Sequence, residues 1–268
     1  MPRRRHKLEV VLAALALLAA APLMLVIAIG IWVSDPGPVF YLADRSGVRG
    51  AIFRMYKFRT MRIASEPGSR ISESRDPRVF AFGRLLRRLK LDELPQLLNI
   101  IRGEMAFVGP RPEDPWFVEH VYTEADRETL ETLPGLTSPG TLYYVTHAER
   151  FPDDTDTEAS YISGPLKIKL ALDRAYVSRA SAAYDLRLIM ETVWVLAGWQ
   201  RFPEPPERRL QAGLPALQAR GDGIADVGIR RNFFPAQPAQ DTQRKAAVDD
   251  NETEGGSGET RRRSAPHG

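Results

Sequence analysis

From Val10 to Val33 the chain runs 24 residues without a charged or strongly polar side chain, VVLAALALLAAAPLMLVIAIGIWV. As an uninterrupted helix this run would reach about 36 Å, enough to cross the hydrocarbon core of a bilayer. A signal peptide fits less well. Arg3, Arg4, Arg5, His6 and Lys7 make a fair basic leader, but the apolar run is long and Asp35-Pro36-Gly37-Pro38 is a poor small-residue cleavage site. Two features qualify a simple span. Pro22 lies midway along the run, where it removes a helical hydrogen bond, and basic residues flank both ends, with Arg45, Arg49, Arg54, Lys57 and Arg59 following. Positive charge on both sides favours keeping both ends in the cytoplasm. A helix that enters one leaflet, breaks at Pro22 and returns meets that preference; a spanning helix that tolerates its proline is equally allowed by the physics alone.

Composition matters where it removes chemistry. With no cysteine, thiolate catalysis and cysteine-ligated metal sites are excluded, and the redox compartment stays open. The formal charge of +3 hides an asymmetry: residues 1–110 hold 18 Lys or Arg against 9 Asp or Glu, residues 111–268 hold 19 against 25. The basic part is the part beside the apolar run.

Downstream, Pro38 to Leu42 and Ile52 to Phe58 read as two short strands around a Gly47 to Gly50 turn. Ala64 to Arg78 is a polar loop. Phe82, Leu85, Leu86, Leu89, Glu93, Leu97 and Ile101 recur at helical spacing among Arg84, Arg87, Arg88 and Lys90, a basic amphipathic helix that Pro95 should bend or split and Arg102-Gly103 should end. Such a helix suits a partner helix or an anionic bilayer surface. AFVGPRPE places an apolar triplet before a rigid turn, Pro115 to Leu133 reads as one helix ended by Pro134-Gly135, and Phe151 to Ser160 is an acidic loop. Leu166 to Tyr176 and Tyr184 to Leu196 are further helices, the second with Leu186, Ile189, Met190 and Val193 facing one way. The map is therefore an N-terminal basic segment and membrane helix over 1–37, one globular domain over 38–202, and a Pro/Gln/Gly/charged tail over 203–268, largely disordered by composition.

Asp92-Glu93 is the first pair that could carry chemistry. Adjacent carboxylates on a basic helix before a proline could share a divalent cation or divide nucleophilic and supporting roles, although spacing alone favours an ordinary solvated face. Lys57, Arg59, Arg78 and Arg111 lie beside turns or strand ends, where donors can be aimed at phosphate oxygens; each taken singly is more often a surface charge. There is no GxxxxGK[ST] and no GxGxxG after a strand, so nucleotide triphosphatases and dinucleotide enzymes lack support. His6, His120, His147 and His267 have no metal-ligand spacing, and no serine sits in a GxSxG frame.

Three blocks then become recognisable: DPGPVFYLADRSGVRGAIFRMYKFRTM, DPRVFAFGRLLRRLKLDELPQLLNIIRGEMAFVGPRPE, and PGLT followed by KIKLALDRAYVSRASAAYDLRLIMETV. In this order they resemble the bacterial sugar transferases, the monotopic phosphoglycosyl transferases that start exopolysaccharide, O-antigen or glycoprotein glycan assembly, over about residues 6–196. The chain departs from the commoner pattern at Glu9, where many relatives have Asp, and at GLTSPGTLYY after Pro134.

The resemblance implies an α+β fold: a small membrane-anchored domain with an N-terminal re-entrant helix broken at Pro22, amphipathic interfacial helices and a short β-hairpin. It implies transfer of sugar 1-phosphate from a UDP-sugar to polyprenol (undecaprenyl) phosphate, with release of UMP. Asp92 would be the nucleophile that carries the phosphosugar, and Glu93 would bind Mg2+. Lys57, Arg59, Arg78 and Arg111 would hold nucleotide and phosphate groups. It places the domain on the cytoplasmic face of the bacterial inner membrane among its lipids, expects no nucleic-acid partner, and leaves a homo-oligomer open. An anchored scaffold for acidic lipids or an assembly partner, and a membrane-attached nucleic-acid binder, are the readings from other classes; neither needs Asp92.

Overall fold

The computed structural model describes residues 3–63, 76–148 and 157–198, all within one compact unit. The expectations for most of the Ala64 to Arg78 loop, the start of the acidic loop and the whole 203–268 tail lie outside the described residues. The architecture is α+β. One long helix, α1 (Arg3–Ser34), leads into an antiparallel hairpin of β1 (Phe40–Ser46) and β2 (Ile52–Phe58). After it come α2 (Ala81–Arg88), a 3-10 turn (Leu91–Gln96), α3 (Leu97–Ile101), β3 (Ala106–Val108) and α4 (Pro115–His120). A second 3-10 turn (Asp126–Glu131), β4 (Gly135–Thr137), α5 (Pro139–Tyr143), α6 (Thr157–Ser163), α7 (Pro165–Val177) and α8 (Ala182–Leu196) complete the described chain.

Lys7–Ser34 of α1 is long and apolar enough to cross a membrane, and only 11% of its most apolar stretch is buried in the protein. Leu15, Leu18, Leu25, Val26, Ile29 and Val33 are exposed. So large an uncovered apolar surface needs a medium other than water. One stripe is covered. Ala13, with Ala16 and Leu17, packs on Ala43, Met55, Leu97, Ile100 and Met105; Ile27 and Ile31, with Met24, pack on Phe58, Phe80 and Leu86. Burying each isoleucine is worth about 1.5–3 kcal/mol. The two contacts lie on opposite sides of Pro22, which α1 accommodates within one helix.

The hairpin register runs from Phe40 opposite Phe58 to Ser46 opposite Ile52, so β1 begins later and extends further than its apolar start suggested. The turn closes with the Gly47 N–H on the Ala51 carbonyl at 2.8 Å. Asn99 of α3 holds β2 in place: its Nδ2 donates to Arg54 O at 2.8 Å and its Oδ1 accepts from Tyr56 N–H at 3.0 Å.

The amphipathic segment expected to bend at Pro95 breaks earlier. Lys90 is left-handed, φ 55°, which ends α2 and starts the 3-10 turn in which Pro95 sits. The helix expected over Pro115 to Leu133 is likewise two pieces. Thr123 and Asp126 cap each other, Thr123 N–H to Asp126 Oδ2 at 3.0 Å and Asp126 N–H to Thr123 Oγ1 at 3.2 Å, and such a local exchange competes with helix continuation. β4 was not foreseen; three residues carry no periodicity. It pairs in parallel with β3 so closely that a Cβ on Gly135 would fall 2.0 Å from Gly109 N. On α8, Leu186, Met190 and Val193 of the expected stripe point outward while Ile189 packs against the core, which Leu188 and Val195 enter with Asp185 and Glu191.

Candidate active site

Three separate segments meet at the Asp92-Glu93 turn. Lys57 comes from the end of β2, the carboxylates from the 3-10 turn, and Arg111 from the Pro110-Arg111-Pro112 loop after β3. Leu91 and Leu94 on either side of the pair pack into the cluster around Ile27 and Ile31, so the carboxylates are seated on the C-terminal half of the apolar helix. The left-handed Lys90 makes this arrangement. It ends α2 and opens the 3-10 turn, in which Asp92 is only 8% exposed instead of lying on a solvated helix face.

Glu93 is held from two sides. Lys57 Nζ donates to Oε1 at 3.1 Å, and Arg111 spans the carboxylate with Nη1 on Oε2 at 3.2 Å and Nη2 on Oε1. Burial opposes the Glu93 charge, but Arg111 and Lys57 outweigh it and hold its carboxyl well below the usual range. Arg111 is raised in turn: burial works against its charge and Glu93 overcomes it. Lys57 is lowered, mainly by burial, with Glu93 acting in the opposite sense.

Asp92 has the opposite environment. Its Oδ1 is buried and accepts no hydrogen bond among the described residues. Burial raises its pKa, Lys57 opposes the shift and Glu93 adds to it. A carboxylate oxygen with no donor on it keeps its lone pairs for an electrophile or a cation.

The other two expected cations are engaged differently. Arg59 is buried at the exit of α1, donating to Asp35 Oδ2, to the carbonyls of Asp35 and Pro38, and to Met61 O at 3.3 Å; it pins the turn that leaves the apolar helix. Arg78 clasps Asp76, Nε to Oδ1 at 2.9 Å and Nη2 to Oδ2 at 2.6 Å. Arg87 interacts electrostatically with Asp92, Asp76 and Arg78, and its Nε donates to Thr60 Oγ1 at 2.8 Å. Arg45, paired with Asp114 at 3.3 Å, borders Arg111 and Lys57. Sequence reasoning had not singled out Arg87 or Arg45; the one signal was the run of basic residues, which does not tell site from surface.

Two adjacent carboxylates beside several cations suit a polyanion that carries its own divalent ion. No cluster of three or more acidic or histidine side chains that could hold a metal occurs among the described residues. Magnesium commonly takes one or two carboxylates and completes its shell with substrate phosphates and water. Glu93 would supply such a carboxylate by exchanging a contact with Lys57 or Arg111, which leaves the unpartnered Asp92 Oδ1 open.

A sequence profile for bacterial sugar transferases matches residues 3–198, from the start of α1 to the end of α8. The chain belongs to the bacterial sugar transferase family. Among related members, a UDP-glucose:undecaprenyl-phosphate glucose-1-phosphate transferase of Xanthomonas campestris pv. campestris is 35% identical over 187 residues, 68% of this chain and 36% of that one. A protein of the same description from Caulobacter vibrioides is 34% identical over 196 residues, 71% and 68%. The exopolysaccharide production protein ExoY of Sinorhizobium fredii is 35% identical over 208 residues, 70% and 83%. The chain spans well under half the length of some relatives, as the Xanthomonas protein illustrates, and most of the length of others. The family segment therefore contains α1, the hairpin and every residue of the carboxylate cluster.

Proposed function

We propose that the protein transfers sugar 1-phosphate from a UDP-sugar to undecaprenyl phosphate, the first step of an exopolysaccharide or related glycan. The observation that carries the reading is Asp92: a buried carboxylate with an unpartnered oxygen, under the influence of Lys57, Lys90 and Arg87, on a turn seated against an apolar helix. The names of the related transferases support the substrate pair.

In this reading Lys57 and Arg111 hold the diphosphate of the donor. Asp92 Oδ1 attacks the phosphorus that bears the sugar; the bond from that phosphorus to the bridging oxygen breaks, and UMP leaves with the oxygen and its electron pair. An oxygen of the lipid phosphate then attacks the same phosphorus and displaces the Asp92 carboxylate, which returns to its starting state. Glu93 keeps Lys57 and Arg111 in place and, on exchanging one of those contacts, would hold Mg2+, which would neutralise charge on the diphosphate. Arg87 acts on Asp92 electrostatically, while Arg59 pins the exit of α1 and Arg78 clasps Asp76.

We also read α1 as re-entrant. Residues on both sides of Pro22 pack on the same domain, which a helix standing across the bilayer could not do if that domain lies in the cytoplasm. The basic residues that flank α1 at both ends support a domain on the cytoplasmic face of the inner membrane. The deciding experiment is UMP release from a panel of UDP-sugars by the detergent-solubilised chain with Mg2+ and undecaprenyl phosphate. Lipid-dependent release with one sugar, lost in Asp92→Asn, is expected; equal release by the variant overturns the reading.

A further inference from the structure

Behind the site, α7 carries two buried charges that the transfer steps do not use. Lys169 and Asp173 are one helical turn apart and 3% and 1% exposed. Lys169 Nζ ion-pairs with Glu113 Oε1, which also accepts from the Tyr161 hydroxyl at 3.1 Å. Asp173 accepts the Gly140 N–H at 2.9 Å, and the Arg111 backbone N–H and the Ser138 hydroxyl lie close enough to stabilise its charge. Thus α7 holds the loop at residue 113 through an ion pair and faces its backbone at residue 111 with a second charge.

The loop between these grips is already stiff. Pro110 and Pro112 fix φ on either side of Arg111, and Pro112 further restricts Arg111 itself. Gly135 N–H donates to Pro110 O at 2.9 Å and Ser46 N–H to Glu113 O at 2.9 Å. Hydrophobic residues of similar volume would often replace a buried ion pair without loss of stability, so burying these charges does not by itself serve the fold. What they do provide is direction for the side chain between them, which ends on Glu93.

We propose that Lys169 and Asp173 are positioning residues for the transfer reaction, holding the Arg111 loop at two points so that its guanidinium meets Glu93 and the donor diphosphate. This rests on the transferase reading. Neither residue touches substrate; both act through Arg111.

The test is a mutant cycle on the full chain in detergent, with UMP release and thermal unfolding measured for each variant. Lys169→Met should raise KM for the UDP-sugar about tenfold with a smaller change in kcat, and Lys169→Arg should restore part of it. In an Arg111→Ala background, Lys169→Met should cost less than about twofold more, because its effect passes through the missing guanidinium. An independent, multiplicative loss in that background overturns the proposal. If Lys169→Met does not fold, Lys169→Met/Glu113→Gln, which removes the lysine's ion-pair partner with it, takes its place; failure of both to fold makes the pair structural and also overturns it. Amide exchange separates this from the parent reading. Asp173→Asn should speed exchange at the Arg111 amide about tenfold while α3 amides are unchanged. If the unmodified chain releases no UMP from any donor, the transferase reading fails, and unchanged exchange at Arg111 would defeat the loop grip as well.

Discussion

Arg111 and Glu93 meet as a two-point pair across 18 residues of sequence, one guanidinium nitrogen on each carboxylate oxygen. A planar fork matches this geometry and an ammonium does not. Arg111→Lys should therefore retain the charge and still lower kcat/KM for UMP release about 10- to 100-fold, with the loss in KM for the donor. Steady-state kinetics on the purified variant check it; wild-type KM would remove Arg111 from the diphosphate.

Asp92 should show function opposed to stability. Its buried oxygen has no donor, so removing the charge relieves a desolvation penalty. Asp92→Asn is expected to unfold at the same temperature as the parent or higher while UMP release is abolished. A clearly lower midpoint would mean that the carboxylate is a structural group.

At β3 and β4 the backbones leave no room for a side chain, since a Cβ on Gly135 would lie 2.0 Å from Gly109 N and 2.5 Å from its carbonyl oxygen. Neither atom belongs to a flexible side chain that could swing away. Gly135→Ala should destabilise by about 2–4 kcal/mol through strain in this pair. Denaturant unfolding in detergent measures it, and a loss under about 0.5 kcal/mol, the range of ordinary surface changes, would show that the strands can part.

Asp76 supplies a pH signature. Hydrogen bonds from Arg78, chiefly from its side chain, hold the carboxyl below its ordinary 3.8 against the effect of burial. The folded chain therefore releases this proton more readily than the unfolded chain. Its contribution is fully present above about 3.8 and is lost as pH falls through the lower folded value. Asp76→Asn should flatten that acid limb in a plot of thermal midpoint against pH and leave the slope above pH 5 unchanged. An identical acid limb in the variant would assign the loss to other carboxylates.

Much of this could be read without coordinates. The apolar run defines α1 because 24 uncharged residues have few other fates, and Ile52 to Phe58 forms its strand as spaced. The carboxylate pair was visible, and Lys57 and Arg111 do reach Glu93. The exact environments were not legible. Arg59 and Arg78 look like Lys57 and Arg111 in sequence, yet one pins the exit of α1 and the other clasps Asp76, because the partner of an arginine depends on which distant segment arrives beside it.

By itself, then, the sequence determined the apolar helix, the hairpin, the basic front half and the adjacent carboxylates, since hydrophobic periodicity and residue chemistry are local. Only the tertiary structure decided that the chain turns at Lys90, five residues before the proline that should have broken it. It also decided that Leu186, Met190 and Val193 of α8 face outward while Ile189 packs inward, and that both halves of α1 rest on one domain. The left-handed turn is stabilised by packing of Leu91 and Leu94 against α1, and the two oxygens of Glu93 are filled by residues 36 and 18 positions away. Such long-range contacts are what offset the strain and the buried charge, and no local pattern encodes them.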